Sequence, residues 1–184
     1  MIIGITGVIG AGKGTVVEYL KTNGFKYFSA RAFFIEEVER RGLPVNRDTI
    51  TETANDLRAK HGPGYFTEQA LARADTEKGD VVIESIRTVG EAKYLKSKGA
   101  ILWGVDADRQ KRYERATLRG SETDKVSFEK FIADEEREMT NTDPTKQNIE
   151  GVMKMADAVF TNNGTEAELF AQVEKALKKL SPDV

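Results

Sequence analysis

The sequence predicts an α/β protein, a parallel five-stranded sheet with helices on both faces in three layers. Two observations carry this. Short apolar runs alternate with segments of helical periodicity from one end of the 184 residues to the other, the pattern of strand–helix–strand units. Runs such as Val81-Val82-Ile83 and Ala100 to Val105 are apolar throughout rather than alternating, as strands covered on both faces must be. The length suits one compact domain, residues 1–184.

The elements follow in order. Ile2 to Thr6 is the first strand, and a helical pattern runs from about Lys13 to Leu20. Phe25 to Ser29 is a second strand after the Asn23-Gly24 turn. Ala30 to Arg41 is helical and closes at Gly42, with Pro44 just beyond. Asn46 caps a third helix to about His61, which Gly62-Pro63-Gly64 stops. A fourth runs from about Phe66 to Lys78. The third strand, Val81 to Ile83, precedes a helix with capping-box spacing at Thr88 and Glu91. After the fourth strand, Ala100 to Val105, a long helix reaches Arg119, and Gly120 to Val126 is a polar break. Ser127 caps a helix whose Phe128, Phe131, Ile132 and Met139 share a face expected to be core. A mostly helical connection is expected after Asp143-Pro144. Ala158-Val159-Phe160 is the last strand, and Thr165 with Glu168 caps the final helix, beyond which the last residues read as a disordered tail.

Composition narrows the function classes. A net charge of −2 gives no global attraction to nucleic acid or anionic membrane. No apolar run approaches the roughly 20 residues of a membrane span, so a cytoplasmic location is the expectation. The absence of cysteine excludes disulfides and thiol catalysis. His61 reads as an exposed helix-end residue with no chemistry.

The informative stretch is Gly7-Val8-Ile9-Gly10-Ala11-Gly12-Lys13-Gly14-Thr15, set between a strand and a helix. Glycines without a Cβ let backbone N–H groups curl around phosphate oxygens. The following helix N-terminus adds unpaired N–H groups and partial positive charge. Lys13 would then reach the β- and γ-phosphates. The strict phosphate loop has Ser or Thr directly after the lysine to hold Mg²⁺; here Gly14 intervenes and the hydroxyl comes at Thr15. This form resembles the loop of adenylate kinases and other nucleoside monophosphate kinases. The resemblance implies a P-loop NTPase fold with ATP on Gly7, Gly10, Ala11, Gly12, Lys13, Gly14 and Thr15, and Mg²⁺ held largely through water and substrate phosphates.

The same resemblance extends along the chain. Asp80-Val-Val-Ile-Glu84-Ser-Ile-Arg87 is similar to a family segment in which a carboxylate faces the Mg²⁺ hydration shell and an arginine holds the acceptor phosphate. It implies those roles for Glu84 and Arg87; a Glu84–Arg87 surface ion pair is the alternative. The run Arg109 to Gly120 resembles the start of a short lid, within residues 109–126. There Arg112, Arg115 and Arg119 line roughly one helical face. Arg115 and Arg119 match the arginines that close over the donor and stabilise the moving phosphoryl, while a solvated basic face is the alternative. Arg137 matches a further family arginine loosely. Asn163, in Asn162-Asn163-Gly164, resembles the loop against the donor adenine, and a glycine turn into a capped helix explains the same letters.

Residues 30–78 stand where the family holds its acceptor. The family's second acceptor-phosphate arginine has no counterpart at Ile35, and Arg31 or Arg58 would replace it. Glu91 falls near a base-reading position, where a carboxylate would favour a base edge offering N–H donors, unless it serves only as a cap for Thr88.

A second resemblance competes. Val105-Asp106-Ala107, the Arg112–Arg119 helix and the stretch Ala156 to Thr165 are similar to dephospho-CoA kinases, and Arg41 through Arg58 to an archaeal group related to them. The usual Ser-Thr after the lysine of dephospho-CoA kinases is absent, and Gly14 counts against that reading. The expectation is a monomeric kinase using ATP and Mg²⁺ on a phosphorylated small acceptor, with no nucleic-acid or membrane partner. An ATP-dependent switch without a small acceptor is the alternative from another class.

Overall fold

The computed structural model describes residues 1–75, 79–120 and 126–180. Among them, strands β1 (Ile2–Gly7), β2 (Lys26–Ser29), β3 (Val81–Glu84), β4 (Ile101–Asp106) and β5 (Ala158–Thr161) form one sheet in the order β2-β3-β1-β4-β5. Every pairing is parallel, with Ile5 opposite Glu84 on one side and Trp103 on the other. The helices are α1 (Lys13–Thr22), α2 (Ala30–Arg40), α3 (Arg47–His61), α4 (Tyr65–Asp75), α5 (Val89–Ser97), α6 (Arg109–Arg119), α7 (Phe128–Met139), α8 (Ile149–Met153) and α9 (Glu166–Leu180).

The period of two along each strand explains the three layers. Ile3, Ile5, Val82, Trp103 and Val105 enter one apolar cluster, with Val16 and Leu20 of α1 and Leu169 and Val173 of α9. Val81, Ile83 and Leu102 face the other, with Phe34, Leu57, Phe66 and Leu95. Gly4 also points that way; a Cβ there would stand 3.0 Å from the Leu95 side chain, so the missing side chain admits α5 close to the sheet. Consecutive residues thus bury on opposite faces, and the strands read as unbroken apolar runs.

Sequence and structure part in two places. The buried residues of α7 are Phe131, Asp134, Glu135 and Glu138, whereas Phe128, Ile132 and Met139 are only partly covered. The inner face of this helix is acidic because cations from α3 and α6 are packed against it. After Asp143-Pro144 the only helix before β5 is the five-residue α8, and side-chain bonds hold the rest. Asn141 donates to Arg137 O and Gln147 O, and Asn148 donates to Asn141 O. Residues 121–125 of the expected lid, 76–78 of the fourth helix and the 181–184 tail lie outside the described residues.

Candidate active site

Parallel sheets present ligand sites at the carboxyl ends of their strands, and here β1, β2 and β3 all discharge into one cleft. The turn after β1 is set by two glycines with positive φ. A Cβ on Gly10 (φ 74°) would lie 2.3 Å from Arg112 O, and one on Gly12 (φ 100°) 2.1 Å from Asn162 Nδ2. Any side chain would therefore strain the backbone and push the loop off its supports. Gly14 differs: its φ is not positive and nothing lies within 4 Å of its missing Cβ.

Side chains cap α2, α3, α5, α6, α7 and α8, through Ser29, Asn46, Thr88, Asp108, Ser127 and Asn148. At α1 the cap residue is Gly12 and no side chain bonds to the first turn. The Lys13 and Gly14 N–H groups at its start have no intrahelical partner and carry partial positive charge, while Thr15 N donates to Gly12 O at 3.1 Å, so the glycine cradle and the uncapped helix together fit an anion. Lys13 folds back over the loop, its Nζ donating to Gly7 O and Val8 O, each at 3.0 Å. Burial pushes its ammonium down from 10.5 to about 8, a shift that nearby Glu84 partly offsets.

The cleft holds about 480 Å³ and is lined by Lys13, Gly14, Thr15, Glu84, Arg87, Arg115 and Arg119, with Tyr27 and Ser29 of β2 at one wall. Thr15 and Glu84, the residues expected near Mg²⁺, thus share it. Glu84 is buried at the end of β3, and Ser85 Oγ donates to its Oε1 at 2.6 Å. Ser85 itself has φ 69°, the one non-glycine residue with positive φ among those described. Such strain is held in place only by surrounding structure; here the next residue is anchored by Ile86 N donating to Ile5 O at 3.0 Å. Burial, and then Glu84, raise the Tyr27 phenol above its usual range.

The arginines on α6 divide their work. Arg112 is buried: its Nε donates to Ala107 O at 2.8 Å and its guanidinium pairs with Glu135. It fastens α6 to α7 and does not line the cleft. Arg115 does, with Nη2 3.5 Å from Asn162 Oδ1 and its buried Nη1 without a hydrogen-bond partner. Arg119 lines the cleft as well. Arg137 lies elsewhere, paired with Asp48 and Asp134.

Beside the cleft is a recess of about 70 Å³, and Arg31, Arg47 and Arg87 line both. Arg87 Nη1 donates to Glu138 Oε2 at 2.6 Å and Gln147 Oε1 at 2.9 Å, so the Glu84–Arg87 pair does not form. Arg47 Nη2 donates to the other Glu138 oxygen, also at 2.6 Å. One buried carboxylate thus bridges two guanidiniums. Desolvation would raise its pKa, but Arg87 and Arg47 outweigh that and hold it below the usual range. Arg58 lines the recess but is buried behind it, paired with Glu91.

Glu91 is fully buried and spent. Oε1 accepts from Arg58, and Oε2 accepts from the Arg87 and Thr88 N–H groups in the expected capping box. It faces no base. At the other end, Asn162 rather than Asn163 touches the phosphate loop, donating to Ala11 O at 2.9 Å. Asn163 Oδ1 accepts from Asp108 N at 2.7 Å and orders the start of α6. The side-chain reading thus missed Asn162, Arg47, Glu138 and Gln147. The spacing of Asp134, Glu135 and Glu138 marks one acidic face of α7 but says nothing of its partners.

This arrangement can bind phosphates on backbone and Lys13, and a second anion on arginines next to them. The structure is similar to the shikimate kinase of Bacteroides thetaiotaomicron (TM-score 0.57, 15% identity, covering 98% of this chain and 97% of that one). It is similar as well to the dephospho-CoA kinase of Campylobacter jejuni (TM-score 0.54, 18% identity, 98% and 97% covered). At these identities the likeness is one of fold, the P-loop kinase-like α/β fold. In sequence the chain is 28% identical over 187 residues to the UPF0200 protein of Pyrococcus horikoshii, covering 98% of this chain and 97% of that one. The family model AAA_18, described as an AAA domain, matches residues 3–150. That span takes in the phosphate loop, Glu84, Arg87 and the whole of α6 and α7, and the chain belongs to the AAA_18 family of AAA domains.

Proposed function

We propose that the chain is an ATP-dependent phosphotransferase that moves the γ-phosphoryl group to a nucleoside or deoxynucleoside monophosphate. The observation that carries this reading is the shared wall: Arg31, Arg47 and Arg87 line both the phosphate-loop cleft and the neighbouring recess. A hydrolase or switch needs one anion site. Two anion sites separated by a row of arginines suit two phosphorylated substrates meeting end to end.

In this reading residues 7–15 hold the donor phosphates, and Lys13 leaves its loop carbonyls for the β- and γ-oxygens. Arg87, with Arg31 and Arg47, orients the acceptor phosphate, and residues 30–78 are the acceptor region. An acceptor oxygen attacks phosphorus in line, and the bond to the β–γ bridging oxygen breaks as ADP forms. A phosphate acceptor is already ionised at neutral pH, so no general base is required. Arg115, whose Nη1 is unspent, and Arg119 meet the charge on the moving group, and residues 109–126 act as its lid. Thr15 and Glu84 suit Mg²⁺ held through water. That ion would neutralise and orient the β- and γ-oxygens.

The test is a panel in which ATP–Mg²⁺ is offered with each common ribo- and deoxyribonucleoside monophosphate and with dephospho-CoA, following ADP. One acceptor far above the others is expected, with Arg87→Ala raising the KM for that acceptor about 10-fold or more beyond its effect on ATP. A preference for dephospho-CoA would replace the acceptor class. ADP release at one rate with every acceptor, and with none, would return the chain to the switch class.

A further inference from the structure

The deep end of the recess is closed by Arg58, a side chain only 1% exposed. Its guanidinium lies over the Phe34 ring, 5.1 Å from the centroid. Glu91 Oε1 accepts from its Nε at 3.0 Å and its Nη2 at 2.9 Å. The guanidinium is planar and its donors form a rigid fork, so the edge turned away from Glu91 carries Nη1. That nitrogen is buried and has no hydrogen-bond partner. Arg47, on the same recess, is spent otherwise: its Nε lies 3.6 Å from the buried Asp134 carboxylate and its Nη2 donates to Glu138. The large majority of buried polar groups are satisfied, and an exception calls for a reason. The unspent Nη1 of Arg58, on a side chain that lines the recess, has that reason if a ligand supplies the acceptor.

Glu91 fixes the polarity of this site. Read alone, a carboxylate at that position would select a group offering N–H. Packed behind Arg58, it is consumed and presents the guanidinium instead. The chemistry shown to the ligand is therefore inverted, from acceptor to donor. Phe34, Ile50 and Ala54 supply the apolar wall beside it. A volume of about 70 Å³ takes a small polar group and not a whole ring system.

We propose that Arg58 is the specificity-determining residue for the end of the acceptor remote from the transferred phosphoryl group. That end carries an oxygen that only accepts hydrogen bonds, a keto or a carboxylate oxygen. The inference rests on the phosphotransferase reading above. An amino group in that place would set donor against donor and leave buried N–H groups unpaired, the arrangement by which polar sites reject close analogues.

The experiment compares kcat/KM for acceptors differing at this edge. Inosine and adenosine monophosphates differ by keto against amino, as do uridine and cytidine monophosphates, the neighbouring ring nitrogen changing from donor to acceptor in both pairs; a small hydroxycarboxylate against its amide, where no ring nitrogen changes, covers the carboxylate source. Wild-type protein is expected to favour the oxygen member of the accepted pair by about 10-fold or more. Arg58→Lys keeps a cation for Glu91 but removes Nη1, and is expected to bring the ratio close to one with the KM for ATP unchanged. Should that variant fail to fold by circular dichroism, the double variant Arg58→Met with Glu91→Gln removes both buried charges together and is read the same way. A wild-type preference for the amino member, or a ratio unmoved in the folded variant, overturns the inference while leaving phosphotransfer standing. Absence of transfer to any acceptor overturns the phosphotransferase reading, and this inference with it.

Discussion

The phosphate loop offers a ligand backbone N–H groups from within residues 7–15, while the adjoining recess offers side chains gathered from α2, α3, α7 and the segments around Arg87 and Gln147. The first is nearly free of internal compensation: its helix is uncapped, and its one lysine rests on carbonyls of its own loop. The second is dense with it, Glu138 bridging Arg47 and Arg87 and Glu91 holding Arg58. The difference is one of charge. Amide dipoles can stand together without a counter-charge. Guanidiniums packed beside one another cannot, and each buried one demands a carboxylate. A site made of arginines must therefore be built as a lattice, and its ligand must compete with or complete that lattice.

If the loop acts through a single charge on a backbone cradle, Lys13→Ala has the largest effect, cutting turnover by roughly 10²-fold or more with little loss of stability. Steady-state kinetics beside a thermal melt would check it, and near-wild-type turnover would detach the loop from the chemistry. The lattice predicts the opposite balance. Glu138→Gln leaves Arg47 and Arg87 without their shared counter-charge and is expected to lower stability by about 2 kcal/mol, in line with bonds to charged groups, as read by denaturant unfolding near neutral pH. Because Glu138 titrates below the usual range, its contribution is fully present above the unfolded-state value. It is lost as the pH falls through its depressed native value, so wild type and variant should converge in acid.

A smaller effect separates the two regions by pH. Lys13 loses its proton near 8 in the free protein, and bound phosphates favour the charged form. ATP affinity should therefore fall as pH rises through about 8, by at most about tenfold per unit, as titration calorimetry would show. Lys13→Arg, which stays charged, should flatten that slope. The stability linkage has the other sign. Folding lowers this pKa, so the cost of burying the charge is present below about 8 and is relieved towards 10.5. Smallest of all is Gly14→Ser, which meets open space and an ordinary φ. It should change stability by no more than about 0.5 kcal/mol, whereas Gly12→Ala, driven against Asn162, should cost clearly more.

The same contrast explains what could be read from sequence. The strand order's ingredients and the loop were legible because both are local: a two-residue period buried on both faces, and glycines at fixed spacing before a lysine. Arg87, Glu84, Arg115 and Arg119 fell in the cleft because each sits at or just after the end of a strand or along one helix face. Arg47, Glu138 and Gln147 were not legible, since their partnership joins residues 47, 87, 138 and 147 across the fold. The α7 helix shows how the reading failed. Its phenylalanines suggested an apolar core face, but the helix buries Asp134, Glu135 and Glu138 because arginines are waiting for them. Periodicity reports that a face is buried; it does not report what the burial partner is.

The central claim is that cleft and recess are two halves of one transfer site. The most direct measurement follows the γ-phosphoryl group itself, using ATP radiolabelled there and the acceptor selected by the panel, with products separated after a single turnover. Label is expected in the phosphorylated acceptor, in step with ADP formed, and is expected to be lost in Arg87→Ala. Label found wholly in inorganic phosphate, at a rate indifferent to the acceptor, would contradict it.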